Sequence, residues 1–145
     1  MGLSDTLQDQ SVKDAVVADC VRLIDEQVAA KKGLSGMALK TAYRVVKGIG
    51  ADYLPGAIAR VLPQVMTAID PLWQEGQQTG DPVAYFNQHR SQVADRVLSV
   101  TDARVENSSN TIVRSSYNQL RKSIKGDVEL AIPGVAEIIQ RHMAG

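Results

Sequence analysis

Val17-Ala18-Asp19-Cys20-Val21 returns later in the chain as Val93-Ala94-Asp95-Arg96-Val97. Lys40-Thr41-Ala42-Tyr43-Arg44-Val45-Val46-Lys47 returns as Arg114-Ser115-Ser116-Tyr117-Asn118-Gln119-Leu120-Arg121. Leu62-Pro63-Gln64-Val65 with Ile69 is echoed by Ile132-Pro133-Gly134-Val135 with Ile139. The echoes keep their order, and self-similarity of this kind decides architecture before any single motif does. They divide the chain into two units, 11–70 and 83–143, each a long helix, a loop, a basic helix and a proline-reset helix. The alternative is plain: Val, Ala and Asp are common, the offset shortens along the chain, and amphipathic helices resemble one another.

The local signals around these stretches are helical. Ser11 with Asp14 three residues on is a capping start. Val12, Val16, Cys20, Leu23, Ile24 and Val28 then recur at three- and four-residue intervals, the stripe of an amphipathic helix. Gly33, after Lys31 and Lys32, suits a helix end. Ser35 caps a second helix, with Leu39, Ala42, Tyr43 and Val46 inward and Lys40, Arg44 and Lys47 outward. Gly48-Ile49-Gly50 ends it.

Pro55, Pro63 and Pro71 predict short helices that restart at each proline, because an interior proline costs ~3 kcal/mol. Asp70-Pro71 and Asp81-Pro82 read as helix starts, the second opening a long helix through Phe86, Val93 and Leu98. Asn107-Ser108-Ser109-Asn110 breaks the chain. It also matches a glycosylation sequon, but reads as a capping loop. Val113, Tyr117, Leu120 and Ile124 line a helix that Gly126 ends, and Asp127 caps a last one reset at Pro133. No run alternates with period two and no hairpin signal occurs. The expected fold is all-α, a compact multi-helix bundle forming one domain over 1–145.

At 145 residues, 44% hydrophobic and 22% charged, the chain can bury a core without disulfides or a structural metal. Cys20 is the sole cysteine, which excludes an internal disulfide and suits a reducing cytoplasm. No apolar run approaches a membrane span, and no secretory signal is expected. Met1-Gly2-Leu3-Ser4-Asp5-Thr6 fits the loose myristoylation template, but no basic cluster follows to secure a single acyl chain. A plain lead-in is the preferred reading, with no membrane association.

The net charge is zero, yet residues 27–51 hold five bases and no acid, and residues 107–126 hold four bases and no acid. Both basic blocks contain a copy of the tyrosine repeat. If they border one groove, Lys40, Arg44 and Lys47 with Arg114 and Arg121 would form a surface for an anionic group. Otherwise these cations are a solvated face, balanced by acidic neighbours in the fold such as Asp19, Asp25 and Glu26. Nucleic acid fits poorly, since net charge is zero, aromatics are 4%, and Tyr43 and Tyr117 occupy inward positions.

No catalytic motif rises above background. Gly33-Leu34-Ser35-Gly36 before a basic helix invites phosphate binding, but it lacks the Walker pattern and reads better as an inter-helix turn. His89, His142 and Cys20 lack metal-ligand spacing. No metal or cofactor is expected. Cys20 lies on an apolar face, where a small buried hydrophobe is the ordinary reading. His142 is explained by the helix dipole, and Trp73 reads as a core anchor.

Leu3-Ser4-Asp5-Thr6-Leu7, Val17-Ala18-Asp19-Cys20-Val21, Gly33-Leu34-Ser35-Gly36, Ile69-Asp70-Pro71 and Val100-Thr101-Asp102-Ala103-Arg104 together resemble a family of small all-helical bacterial proteins of unknown function. The resemblance implies a bacterial cytoplasmic protein and brings no activity or site with it.

The leading expectation is a non-enzymatic binding module whose basic surface receives an acidic protein partner or a phosphorylated small ligand. The alternative is a metal-free enzyme with a pocket between the two units, which would need carboxylates or His89 to converge on a cleft. A homodimer through leftover apolar faces near Trp73 is a third reading.

Overall fold

The computed structural model describes residues 2–143, so Met1 of the lipidation template lies outside it. Among the described residues seven helices follow in order: α1 Leu3–Thr6, α2 Gln10–Ala30, α3 Gly33–Lys47, α4 Tyr53–Thr79, α5 Pro82–Gln88, α6 Arg90–Glu106 and α7 Thr111–His142. No strand occurs among the described residues.

Several boundaries follow from local chemistry. Asp9, rather than Ser11, caps α2, accepting from the backbone N–H groups of Ser11 and Val12 and from the Ser11 hydroxyl. This satisfies two of the donors that every helix start leaves orphaned. Asp81 accepts the Ala84 N–H to start α5, with Pro82 in the first turn. Asn110 does the same for α7 through Ile112 and Val113. Between α2 and α3 the chain turns at Gly33, whose φ of 81° is left-handed, a conformation that glycine adopts at no steric cost. Gly36 then comes so close to α2 that a Cβ would sit 2.7 Å from the Lys31 carbonyl oxygen. Ser35 makes no cap; α3 begins two residues earlier, with Lys32 as its uncapped start.

Four expected breaks are absent or misplaced. Pro63 and Pro71 lie inside α4, which runs unbroken for 27 residues. Each costs ~3 kcal/mol, but α4 buries Leu62, Val65, Met66, Ile69, Leu72 and Trp73 on one face, at ~1.5–3 kcal/mol for each large side chain. That burial outweighs the local penalty. Pro55 sits in the first turn, where a missing N–H costs little. Asp70 starts no helix; its carboxylate accepts the Leu3 N–H at 3.1 Å and fastens α1 to α4.

Gly126 ends nothing either, because α7 continues through it and through Pro133. Asp127 caps no helix and instead pairs with Lys31 at 2.6 Å. The helix expected to run on from Pro82 is split at His89, whose ψ of 30° leaves the helical range. Its Nδ1 lies 2.8 Å from the Tyr85 carbonyl oxygen and its ring stacks on Tyr85.

α7 packs against α2, α6, α5 and α3, while α4 packs on α5, α6, α2, α1 and α3. One hydrophobic cluster joins α1, α2, α4, α5, α6 and α7, with Trp73 and Phe86 among its fully enclosed members. Their rings meet edge to face at 5.1 Å, a favoured aromatic geometry. Trp73 is thus a core anchor, and it offers no exposed surface to a second copy. α3 gives no side chain to this cluster.

Candidate anion-binding surface on α3

Lys40, Arg44 and Lys47 project from successive turns of α3 toward the last turns of α2. With Asp25, Val28, Ala29 and Tyr43 they line an open hollow of about 420 Å³. Its cations are not equivalent. Lys47 lies 3.1 Å from Asp25 and its ammonium sits 5.0 Å from the Tyr43 ring centroid. Tyr43 also donates its hydroxyl to Asp25. Lys47 is therefore already satisfied, whereas Lys40 and Arg44 make no ion pair among the described residues.

These contacts fix the charge state of the hollow. The Tyr43 hydroxyl, helped by Lys47, holds the Asp25 carboxyl below the usual carboxylate range against a smaller opposing effect of burial. Burial, with the adjacent carboxylate, pushes the Tyr43 phenol well above its ordinary value. At neutral pH Asp25 is an anion matched by Lys47, and the unmatched charge of the hollow is that of Lys40 and Arg44.

The same three-residue arrangement stands between α6 and α7. Tyr117 donates to Asp102 at 2.5 Å, and Arg121 grips the same carboxylate through Nε at 2.8 Å and Nη2 at 2.9 Å. The Arg121 bonds, followed by Tyr117, lower Asp102. Burial and Asp102 push the Tyr117 phenol up to about 12. Tyr43 with Lys47, and Tyr117 with Arg121, keep identical four-residue spacing, and each pair clasps an aspartate on the preceding helix.

The five expected site residues therefore separate. Lys40, Arg44 and Lys47 share a hollow; Arg121 is spent on Asp102, and neither it nor Arg114 lines that hollow. Arg114 is exposed on α7 with no ion pair among the described residues. Of the acids expected to balance the α3 cations, Asp25 pairs with Lys47, whereas Asp19 and Glu26 pair with none of the three; the clasp on Asp102 was not expected. The available signal was the recurring tyrosine followed four residues later by a cation, each with an aspartate upstream.

Other groups are accounted for without chemistry. The Cys20 thiol is pushed up to about 11, mostly by burial and further by Asp19, so it is a poor nucleophile. His142 contacts Asp19 at 2.6 Å, beside Arg141 at 3.1 Å and Arg22 at 3.3 Å. Among the described residues no three His, Cys, Asp or Glu side chains gather as a metal site would require. A second open hollow, about 520 Å³ between α1 and α4, is lined by Ser4, Leu7, Gln8, Pro63, Gln64 and Thr67, with no ionisable group. No described helix is long and apolar enough to cross a membrane.

The architecture defines an all-helical bundle with a cationic hollow at its least buried long helix. The chain belongs to a family of unknown function, DUF6918, whose model matches residues 3–143. No curated protein and no solved structure matches it.

Proposed function

We propose that the protein is a non-enzymatic binding module, in the bacterial cytoplasm, whose α3 surface receives an anionic group from an acidic protein partner. The observation that carries this reading is the pair Lys40 and Arg44, which face a hollow whose only carboxylate, Asp25, is already held by Tyr43 and Lys47. Two cations left over beside a neutralised wall are suited to take up carboxylates from outside. Arg114 stands apart as a peripheral cation, and Arg121 acts in holding α6 to α7. The enzyme alternative is weaker, since neither hollow holds His89 or a free carboxylate.

The test is a backbone NMR titration with hexaglutamate, for wild type and for Lys40→Glu/Arg44→Glu. Shifts confined to α3 and the end of α2, absent from the variant, are expected. Shifts scattered over the surface, or equal in both proteins, would return these cations to a merely solvated face.

A further inference from the structure

α3 is the one long helix that gives nothing to the main core, yet it is not polar outside. Leu34 is 85% exposed, Met37 66% and Val45 47%. With the exposed Thr41 between them they are spaced three, four and four residues apart, so they form a single row along the helix. Lys40, Arg44 and Lys47 form a second row, about a quarter turn round on one flank only. The other flank carries the exposed Ala38 and the buried Ala42, with no charge. An exposed apolar row beside unpaired cations is what a partner surface looks like, because a small anion has no use for the apolar row.

We propose that the occupant is an acidic amphipathic helix of a protein partner, laid along α3. This rests on the reading of Lys40 and Arg44 given above and adds a shape to it. The partner's apolar stripe covers Leu34, Met37 and Val45, and carboxylates on one of its edges meet Lys40 and Arg44. The choice follows from charge placement. A membrane surface is flat, so it would also meet the exposed Glu26 on neighbouring α2. A helix about 10–12 Å wide engages the α3 rows alone.

The test uses two synthetic 18-residue peptides of one composition, leucine and glutamate with alanine. One places leucines at three- and four-residue spacing with glutamates along one edge; the other is shuffled. Fluorescence anisotropy of the labelled peptides against the wild-type protein is expected to show binding at least tenfold tighter for the patterned peptide. Leu34→Ser/Met37→Ser/Val45→Ser is expected to remove that tenfold preference while leaving the hexaglutamate shifts on α3 in place. Lys40→Glu/Arg44→Glu weakens both interactions.

Equal binding of the two peptides, with hexaglutamate still shifting α3, overturns the helical partner but leaves anion recognition standing. No hexaglutamate response at α3 removes the underlying reading as well. Two further arms decide between occupants. Co-sedimentation with vesicles containing phosphatidylserine, lost in the serine variant, would make the row a membrane contact. Self-association in sedimentation velocity, lost in the same variant, would make it a contact between copies. Either result overturns the proposal.

Discussion

Tyr117 donates its hydroxyl to Asp102 at 2.5 Å, across the α6–α7 contact, and Arg121 closes the other side of the same carboxylate. The bond is charge-assisted, which strengthens it relative to a neutral pair. Its partners are partly exposed, which weakens it through solvent screening. Tyr117→Phe is expected to cost about 1 kcal/mol, a fall of roughly 2–5 °C in melting temperature. Combined with Asp102→Asn, the loss should be smaller than the sum of the single losses. Additive losses in thermal denaturation would show that the two side chains act independently.

Acid should loosen the same contacts. Asp19, Asp25 and Asp102 all titrate below the ordinary carboxylate range in the folded chain. The unfolded chain therefore binds more protons between its carboxylate value near ~3.9 and the lowered folded values. The stabilisation from these carboxylates is present above that window and is lost as pH falls through it. Melting temperature should decline below about pH 4, and Asp25→Asn/Asp102→Asn should flatten the decline. An unchanged acid slope in the double variant would be the contrary result.

At high pH the sign reverses. Tyr43 and Tyr117 keep their protons longer folded than unfolded, so their contribution is present below about pH 10 and fades above it. Absorbance of tyrosinate at pH 11 should fall short of the value reached after unfolding in guanidinium. Tyr43→Phe/Tyr117→Phe should narrow the gap.

Two helical glycines should respond oppositely to alanine. A Cβ on Gly76 would lie 2.9 Å from the Pro82 Cα, where α4 meets α5, and backbone there cannot step aside cheaply. Gly76→Ala is expected to destabilise by ~1–3 kcal/mol. Gly126 has open space around its Cβ position, so Gly126→Ala gains helix propensity and should stabilise by roughly 0.5–1 kcal/mol. Urea denaturation of both variants checks the pair; equal effects would contradict the close approach of α5.

Trp73 is the only tryptophan and is completely buried against Phe86. Its emission should be blue-shifted and resistant to iodide. Trp73→Ala should cost about 3–5 kcal/mol, read by loss of the cooperative urea transition. Emission typical of exposed indole in the folded protein would contradict the packing.

Element starts were readable where a side chain speaks to its own neighbours, as at Asp81 and Asn110. Element continuity was not. Pro63, Pro71, Gly126 and Pro133 are local breakers inside helices held straight through by burial against distant segments, and no window of sequence contains those partners. The break at His89 was missed for the converse reason: it comes with a ring-to-carbonyl contact that no composition rule describes. At the site, the basic row of α3 was legible from its spacing. The division of labour within it was not, because Asp25 lies on another helix and decides which cation is occupied.

The pairing of α2 with α7 sets an order on synthesis. α2 is tied to α7 by Lys31 with Asp127 and by Arg141 with Asp19, contacts spanning 96 and 122 residues. A ribosome delivers α2 early and the last turns of α7 late. Until then α2, whose Val16 and Val17 are buried in the finished molecule, lacks its packing against α7. Closure of such distant contacts is slow, and exposed apolar surface invites association. The nascent chain should therefore be a client for holding chaperones until residues past Asp127 emerge.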